Sequence, residues 1–368
     1  PPAHRAVDVR GVGVGGPGMS AIAIVLAEMG HTVSGSDMRE RTVLDRVRAA
    51  GVEVHVGHSR SLVHGRDAIT WSTAIPERNI ERDEADQLGV LSMHRSGMLA
   101  SICALTKSLA VAGTHGKTST TSMLMLILAE AGLRPGFVIG GDVTDMGTGA
   151  QWTGGEWLVV EADESDGTHL QLPLHGTILT NVEIDHLDYY GTPEAIFDGF
   201  DRYLSQIEGP KVVCIDDPGA ARVAQRHDVI TYGTAAGADF RIVSVRPGSG
   251  SFVFDVLHHG ELLGEVSLPV RGMHNVRNAT AALAMAVTFG VPFATAVAAL
   301  AKFGGVARRF DIRGVDAGVT LVDCYAHLPG EIAADLAAAR GSGDGWKRVV
   351  AVFQPNRFNR MAVMWPDY

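Results

Sequence analysis

A short glycine-rich segment carries the residue types that bind nucleotide phosphates. It consists of Gly113, Thr114, His115, Gly116, Lys117, Thr118 and Ser119. The apolar run 109–112 precedes it, and a helix-like segment, 120–131, follows. A strand, a tight turn and a helix aim backbone N–H groups at an anion, which Lys117 would neutralise while Thr118 reaches Mg²⁺. The segment predicts a nucleoside triphosphate site, although Val111 stands where the commonest pattern has its first glycine.

A second glycine-rich segment occurs near the N-terminus. Residues 13–18 match the pattern G-x-G-x-x-G after an apolar run, and Asp37 ends the next strand-like run. In a Rossmann fold, such a loop places a diphosphate at a helix N-terminus and the acid on a ribose. The pattern specifies only a diphosphate, so both a nicotinamide dinucleotide and a nucleotide sugar are candidate ligands.

Five further segments place acidic, amide and cationic side chains at the ends of predicted strands and helices. They are residues 161–166, 180–186, 274–282, 308–310 and 353–360. Together with the short Gly-x-x-Gly-Lys-Thr loop, and in this order, they resemble the Mur ligases, the ATP-dependent enzymes that build the cell-wall peptide on a UDP-sugar. The resemblance covers most of the chain.

The first glycine loop is similar to the one that holds the UDP part of the substrate in the alanine-adding branch of that family. The resemblance therefore favours a UDP-sugar over a dinucleotide at this loop. It implies these UDP-sugar-binding residues: Gly15, Gly16, Gly18, Met19, Ser20, Asp37 and Ser72.

The resemblance implies a ligase that joins L-alanine to the lactyl carboxylate of UDP-N-acetylmuramate, with ATP and Mg²⁺ as cofactors, in peptidoglycan precursor synthesis. The carboxylate would attack the γ-phosphate, and the amine would attack the resulting acyl phosphate. Charge repulsion opposes phosphoryl transfer between two anions, so cations should line the centre. The implied catalytic residues are Lys117, Glu161, His186 and Arg309, and the implied metal ligands are Thr118, Glu161 and His186. Asp163, Glu164, Asp166 and Asp185 are either metal-shell residues or solvated acids, the second interpretation being preferred for Asp166.

Two amides would recognise the adenine. Asn275 and Asn278 lie one helical turn apart, so they share a helix face, and the resemblance implies that they and Arg309 complete the ATP site. Capping of the helix by Asn275 is the alternative interpretation.

The amino-acid site is expected near residues 323–332, which resemble a family segment but depart from it at Cys324, Leu328 and Gly330. The candidates there and beyond are Tyr325, His327, Arg357 and Arg360.

Apolar strand-like runs alternate with helical ones, which predicts an α/β fold with parallel sheets covered by helices. We expect three domains: a Rossmann-like UDP-sugar domain over 1–107, a central P-loop ATPase-type domain over 108–303, and a Rossmann-like C-terminal domain over 304–368. Alternating apolar residues between 238 and 268 predict a small antiparallel sheet in the central domain. The family's third domain continues further, so we expect only its beginning in this chain.

The whole-chain composition restricts the class of partner. A net charge of -10 over 368 residues argues against non-specific binding to nucleic acid, and the three scattered cysteines indicate neither a disulfide framework nor a zinc site. We expect a cytoplasmic monomer or weak homodimer without membrane insertion.

Two alternative functions stay open: a ligase that attaches a preformed tripeptide to the same sugar, and a nucleotide-binding homologue without ligase activity. The tripeptide ligase typically has Tyr in place of Ser165 and Cys-Gly in place of Gly15-Gly16.

Overall fold

The N-terminal part of the chain forms a parallel sheet covered by helices. The computed structural model describes residues 5–143, 147–341, 344–355 and 358–368. The sheet has five strands: β1 (Asp8–Val12), β2 (Thr32–Asp37), β3 (Glu53–Val56), β4 (Ala68–Trp71) and β5 (Leu91–His94). Its helices are α1 (Pro17–Glu28), α2 (Thr42–Ala49), α3 (Ile80–Leu88) and α4 (Arg95–Cys103), with a 3₁₀ turn at Arg60–Val63. The order β3-β2-β1-β4-β5 is that of a Rossmann sheet, as predicted.

Helix α1 begins where its sequence requires. Pro17 stands at the first helical position, where the missing N–H is no loss because that group has no intrahelical partner. The apolar residues of α1 are buried on both sides, since the helix packs against β1 and β2 and also against strands of the next sheet. The first glycine loop is therefore held between two sheets.

The central part of the chain forms a ten-stranded sheet in the order β15-β14-β13-β12-β11-β10-β6-β9-β7-β8. The strands are β6 (Lys107–Ala112), β7 (Gly136–Val143), β8 (Thr148–Gln151), β9 (Trp157–Glu161), β10 (Gly176–Leu179), β11 (Lys211–Cys214), β12 (Ile230–Gly233), β13 (Phe240–Gly248), β14 (Ser251–His258) and β15 (Glu261–Leu268). The helices are α5 (Lys117–Glu130), α6 (Leu187–Tyr190), α7 (Pro193–Ser205), α8 (Pro218–Ala224), α9 (Met273–Thr288) and α10 (Phe293–Leu300), with a 3₁₀ turn at Thr168–Gln171.

The predicted antiparallel strands, β13 to β15, extend this large sheet, because β13 pairs with β12 in parallel. Strand β6 lies in the middle and pairs in parallel with β9 and β10. The carboxyl ends of these three strands therefore meet at one edge, where ligands bind in sheets of this kind.

Helix α5 is buried along most of its length and packs on α9 and α10. It nevertheless carries several hydroxyl side chains. Thr121 donates to the carbonyl of Lys117 and Ser122 to that of Thr118, both at 2.8 Å. These local hydrogen bonds satisfy two of the buried hydroxyls, whereas Thr120 Oγ1 has no partner among the described residues.

The last part of the chain contains a hairpin and two helices: β16 (Asp311–Asp316), β17 (Val319–Asp323), α11 (Pro329–Gly341) and α12 (Phe358–Met364), followed by a 3₁₀ turn at Trp365–Asp367. Helix α11 packs against α9 and brings its first turn to the edge of the central sheet. Among the described residues, the helices are too short or too polar to cross a membrane.

Candidate active site

The loop after β6 has the backbone shape of a phosphate cradle. Gly113 and Gly116 have positive φ angles of 127° and 78°, which glycine adopts at little cost. A Cβ on Gly116 would lie 2.8 Å from Asn278 Oδ1, so the loop and helix α9 are in close contact. Asn181, after β10, accepts the His115 N–H on its Oδ1 at 2.7 Å. The ends of β6 and β10 and the start of α9 thus fix the loop together.

Lys117 is already engaged in this arrangement. Its Nζ donates to the Glu164 carboxylate at 2.8 and 2.9 Å and to the carbonyls of Gly113 and Thr114. Burial disfavours its charge, but the Glu164 and Asp163 carboxylates outweigh burial, so the pKa of Lys117 is raised. Burial also raises the pKa of Glu164 to about 7, against the opposing effect of Lys117. Lys117 and Glu164 therefore form one buried polar unit, and Glu164 is neither solvated nor exposed.

Glu161 ends β9 beside Thr118. Its Oε1 is buried and has no hydrogen-bond partner among the described residues. Burial raises the pKa of Glu161, while a hydrogen bond to Thr118 and the charge of Lys117 act in the opposite direction. An unpartnered carboxylate oxygen beside a hydroxyl offers the hard oxygen ligands that Mg²⁺ prefers. No three His, Cys, Asp or Glu side chains in the described ranges form a metal cluster, so an ion here would share phosphate oxygens and water.

His186 lies near the same Glu164 oxygen that Lys117 contacts. It has a left-handed backbone, φ 53°, immediately before α6. Its Nε2 lies 3.2 Å from Asp185 Oδ2 and 3.9 Å from Glu164 Oε1. His186, Glu161 and Lys117 line one cavity, in agreement with what the resemblance implies, and a metal-binding role for His186 stays a prediction.

The predicted adenine residues line a second cavity of about 270 Å³ behind the loop. Asn275 and Asn278 are both buried on one face of α9 and are 3.4 Å apart, from Asn278 Nδ2 to Asn275 Oδ1. The alternative role of Asn275 as a helix cap is wrong, because Gly272 occupies the N-cap and Asn275 Nδ2 donates to the carbonyl of Arg271. Burial lowers the pKa of the neighbouring His274 to about 4, so that ring is neutral at pH 7.

Arg309 meets the loop through an acidic residue that the sequence analysis did not single out. Arg309 Nη1 lies 3.3 Å from Glu331 Oε1, and His115 Nδ1 lies 3.5 Å from the same oxygen. His115 Nε2 is also 3.0 Å from Glu183 Oε2. Burial opposes the charged ring, but the two carboxylates outweigh it and raise the pKa of His115 to about 9. Glu331, in the first turn of α11, thus connects Arg309 to the phosphate loop.

The predicted amino-acid residues lie at the same edge but differ in availability. The Tyr325 ring is 43% exposed, and the Arg308 and Arg309 guanidinium carbons lie 4.9 and 5.6 Å from its centroid. His327 Nδ1–H donates to the Tyr325 carbonyl at 2.9 Å. Arg360 is buried and binds Asp185 at 3.0 and 3.1 Å, so Asp185 is no solvated acid. Arg357 lies outside the described residues.

The first departure in this segment has a direct partner. Cys324, which replaces an acid of the family segment, donates its S–H to Asp335 Oδ2 at 2.6 Å. Burial raises the pKa of the Cys324 thiol to about 11. A neutral thiol therefore lines the second cavity where the family pattern has a charge.

The predicted UDP-sugar residues cluster around the start of α1. The Gly15 N–H donates to Asp37 Oδ2 at 3.0 Å, so Asp37 holds the glycine loop itself. Ser20 donates to the Pro17 carbonyl, and Met19 is buried in the core, which leaves its side chain inaccessible. The Ser72 carbonyl accepts the N–H of Ile75 in the turn after β4. Gly15 and Ser20 line a cavity that also reaches Thr118 and Arg309.

Arg95, at the start of α4, is a site residue without any sequence motif to mark it. Its Nη2 binds Asp163 at 2.6 Å and Asp166 at 2.7 Å, and its Nε binds Asp166 at 2.9 Å. The Asp166 side chain is only 5% exposed, so the interpretation of Asp166 as a solvated acid is wrong. Arg95 thereby joins the first sheet to the acid segment that follows β9.

Comparisons with known proteins agree with this geometry. Residues 8–107 match the model of the Mur ligase family catalytic domain, and residues 111–286 match that of the Mur ligase middle domain. The chain is 43% identical to a UDP-N-acetylmuramate–L-alanine ligase of Solidesulfovibrio magneticus, over 99% of this chain and 80% of the relative. It is 44% identical to the protein of the same name from Acidothermus cellulolyticus, over 98% of this chain and 77% of the relative.

Solved structures give the same result. The crystal structure of the UDP-N-acetylmuramate-alanine ligase MurC from Thermotoga maritima matches with a TM-score of 0.85 at 28% identity, covering 97% of this chain and 83% of that one. The ligase MPL from Neisseria meningitides, which is named for UDP-N-acetylmuramate and a tripeptide, matches with a TM-score of 0.75 at 26% identity, covering 82% of this chain and 100% of that one. The chain belongs to the Mur ligase family.

Proposed function

We propose that this protein joins L-alanine to the lactyl carboxylate of UDP-N-acetylmuramate in peptidoglycan synthesis, with ATP and Mg²⁺, through an acyl phosphate. The observation that carries the proposal is one cavity lined by both glycine loops. Pro17 and Gly18 of the first loop face the same space as Lys117, Glu161 and His186. A nucleotide sugar on the first loop and a triphosphate on the second would therefore present their reacting ends to each other.

Each phosphate-handling group has a supporting contact. Lys117 would exchange Glu164 and two loop carbonyls for the β- and γ-phosphates. Arg309, which lines all three cavities described above, would bind the γ-phosphate, and Asn275 and Asn278 would hold the adenine. Bound Mg²⁺ would neutralise charge on the transferring phosphoryl group, and we propose Thr118 and Glu161 as protein ligands of one ion and His186 as the ligand of a second.

The second half of the reaction needs an amine placed against the acyl carbon. Tyr325 and His327 line the same cavity as His186, and Arg360 reaches it from α12. We propose these residues, with Arg357, for the carboxylate of the amino acid. We further propose three domains, 1–107, 108–303 and 304–368, each built on one of the three sheets, and a cytoplasmic monomer or weak homodimer.

The test is ADP release by the purified protein with ATP, Mg²⁺ and UDP-N-acetylmuramate, with and without each amino acid. We expect release that requires both the sugar nucleotide and L-alanine. ADP release that requires the preformed tripeptide instead of L-alanine would show that the protein is the ligase that attaches a tripeptide to the same sugar. No release with any acceptor, while both nucleotides still bind, would identify a binding homologue.

A further inference from the structure

Arg95 lies in the cavity shared by the two glycine loops, between the start of α1 and the acid segment 161–166. Two of its three nitrogens, Nε and Nη2, are committed to Asp163 and Asp166. Burial opposes the charge of Arg95, but the two carboxylates outweigh it and raise its pKa. The guanidinium is therefore a fixed cation whose position depends on the acid segment.

The third nitrogen, Nη1, faces the other way. A Cβ on Gly18 would lie 2.6 Å from Nη1, which places this nitrogen at the first turn of α1. In the part of the chain that the structure describes, Nη1 has no hydrogen-bond partner. The N-cap of α1 is Gly16, which supplies no side-chain cap either. An anion at this helix end would meet a ready donor.

We propose that Arg95 binds a nucleoside diphosphate sugar through Nη1, at the second phosphate, which is the one absent from the nucleoside monophosphate. This contact would position the acid segment for phosphoryl transfer. The proposal rests on the proposed function and adds to it a residue that couples the two substrates. Glu161 and Glu164 belong to the segment that Arg95 holds, so occupation of the first loop would orient the groups around the triphosphate. Lysine could not replace arginine here, because one ammonium group cannot contact Asp163, Asp166 and a phosphate in the planar arrangement of the three guanidinium nitrogens.

The experiment compares Arg95→Lys with the wild type by calorimetry and steady-state kinetics. We expect the Kd for UDP to rise about tenfold, because one charge-assisted hydrogen bond to the phosphate is lost. The Kd for UMP, which lacks the second phosphate, should change by less than about twofold. The kcat for alanine-dependent ADP release should fall about 100-fold because the acid segment is misplaced, whereas the Kd for ATP should stay within about twofold. Arg246→Lys, in an exposed ion pair with Glu265, is the matched control.

A second variant separates the two edges of the guanidinium. Asp166→Asn should lower kcat about tenfold yet leave the Kd for UDP within about twofold, because Nη1 remains. A folded Arg95→Lys variant that binds UDP like the wild type would overturn the phosphate contact, and wild-type kcat in Asp166→Asn would overturn the coupling. Binding of UDP is measured without turnover, so a wild-type protein that lacks ligase activity would refute the proposed function and leave the phosphate contact testable.

Discussion

Lys117 Nζ and Glu164 Oε2 lie 2.8 Å apart, and this buried ion pair joins the phosphate loop to the acid segment after β9. A triphosphate that takes Lys117 must displace Glu164 from it. The cation needed for phosphate binding is thus held in place before the nucleotide arrives, and its carboxylate partner stays beside the centre.

We expect Lys117→Ala to lower turnover about 1,000-fold, because the lost charge stabilises the transferring phosphoryl group. The Kd for the UDP-sugar should stay within about twofold, since the two nucleotides use different loops. Kinetics and calorimetry on the same preparation check both values. The control is Lys302→Ala, which removes an exposed lysine that also pairs with a glutamate at 2.8 Å. A loss of affinity for the UDP-sugar as large as the loss of affinity for ATP, both measured by calorimetry, would contradict the assignment of two loops.

His186→Ala should lower kcat about 100-fold with little change in the Kd for ATP. The reason is that the proposed second Mg²⁺ stabilises the phosphoryl group during its transfer and takes no part in adenine binding. Titration with Mg²⁺ at saturating ATP is the measurement. His227→Ala is a matched control, since that histidine pairs with Asp201 at 3.0 Å away from the site. An unchanged kcat at all Mg²⁺ concentrations would make His186 a structural residue.

His115 makes stability depend on pH. Its pKa of about 9 in the folded protein exceeds its ordinary value of 6.5, because Glu183 and Glu331 flank the ring. Its contribution is fully present below pH 6.5 and is lost as the pH rises through 9. We expect the stability difference between wild type and His115→Gln to shrink by at most about 3 kcal/mol between pH 6 and pH 10. Denaturant unfolding at both pH values checks this, and a constant difference would show that the ring is neutral.

Arg10 and Glu81 form a fully buried ion pair, with a distance of 2.7 Å from Nε to Oε2, and Glu81 also accepts from Ser36. Arg10→Met should destabilise the fold by about 3–5 kcal/mol, because it leaves a buried charge without its partner. The double variant with Glu81→Met should recover part of that loss. The same change at the exposed Arg48 should leave the urea unfolding midpoint nearly unchanged. Equal losses for Arg10 and Arg48, measured by urea unfolding, would contradict the burial of the pair.

Local patterns predict the elements and most of the loop geometry. The run before Gly113 and the glycines themselves required a strand and a tight turn, and the spacing of Asn275 and Asn278 required one shared face. Helix α5 nevertheless begins at Lys117, three residues earlier than predicted, because the left-handed Gly116 acts as its N-cap. Residues that stand in a recognisable motif were thus the ones that the sequence identified, even where the partner is distant, as Glu164 is from Lys117.

Arg95 and Glu331 were not among the predicted site residues. The partners of Arg95 are 68 and 71 residues away, and Glu331 reaches back to His115 in the phosphate loop. Arg95 stands in no pattern that distinguishes it from a surface charge, and Glu331 lies in the family-like segment 323–332 but was not one of the candidate site residues. Only the sheet order, which brings distant strand ends together, shows that these charges are buried and paired.

The position of β6 in the middle of the ten-stranded sheet affects how the chain is synthesised. Strand β6 leaves the ribosome before β9 and β10, the two neighbours that hold it. One edge of this apolar strand stays open until β9 emerges and the other until β10 emerges, so the phosphate loop cannot take its final shape before Leu179 has left the ribosome. Chaperones that cover unpaired strands would act on this protein during translation, before any nucleotide could bind.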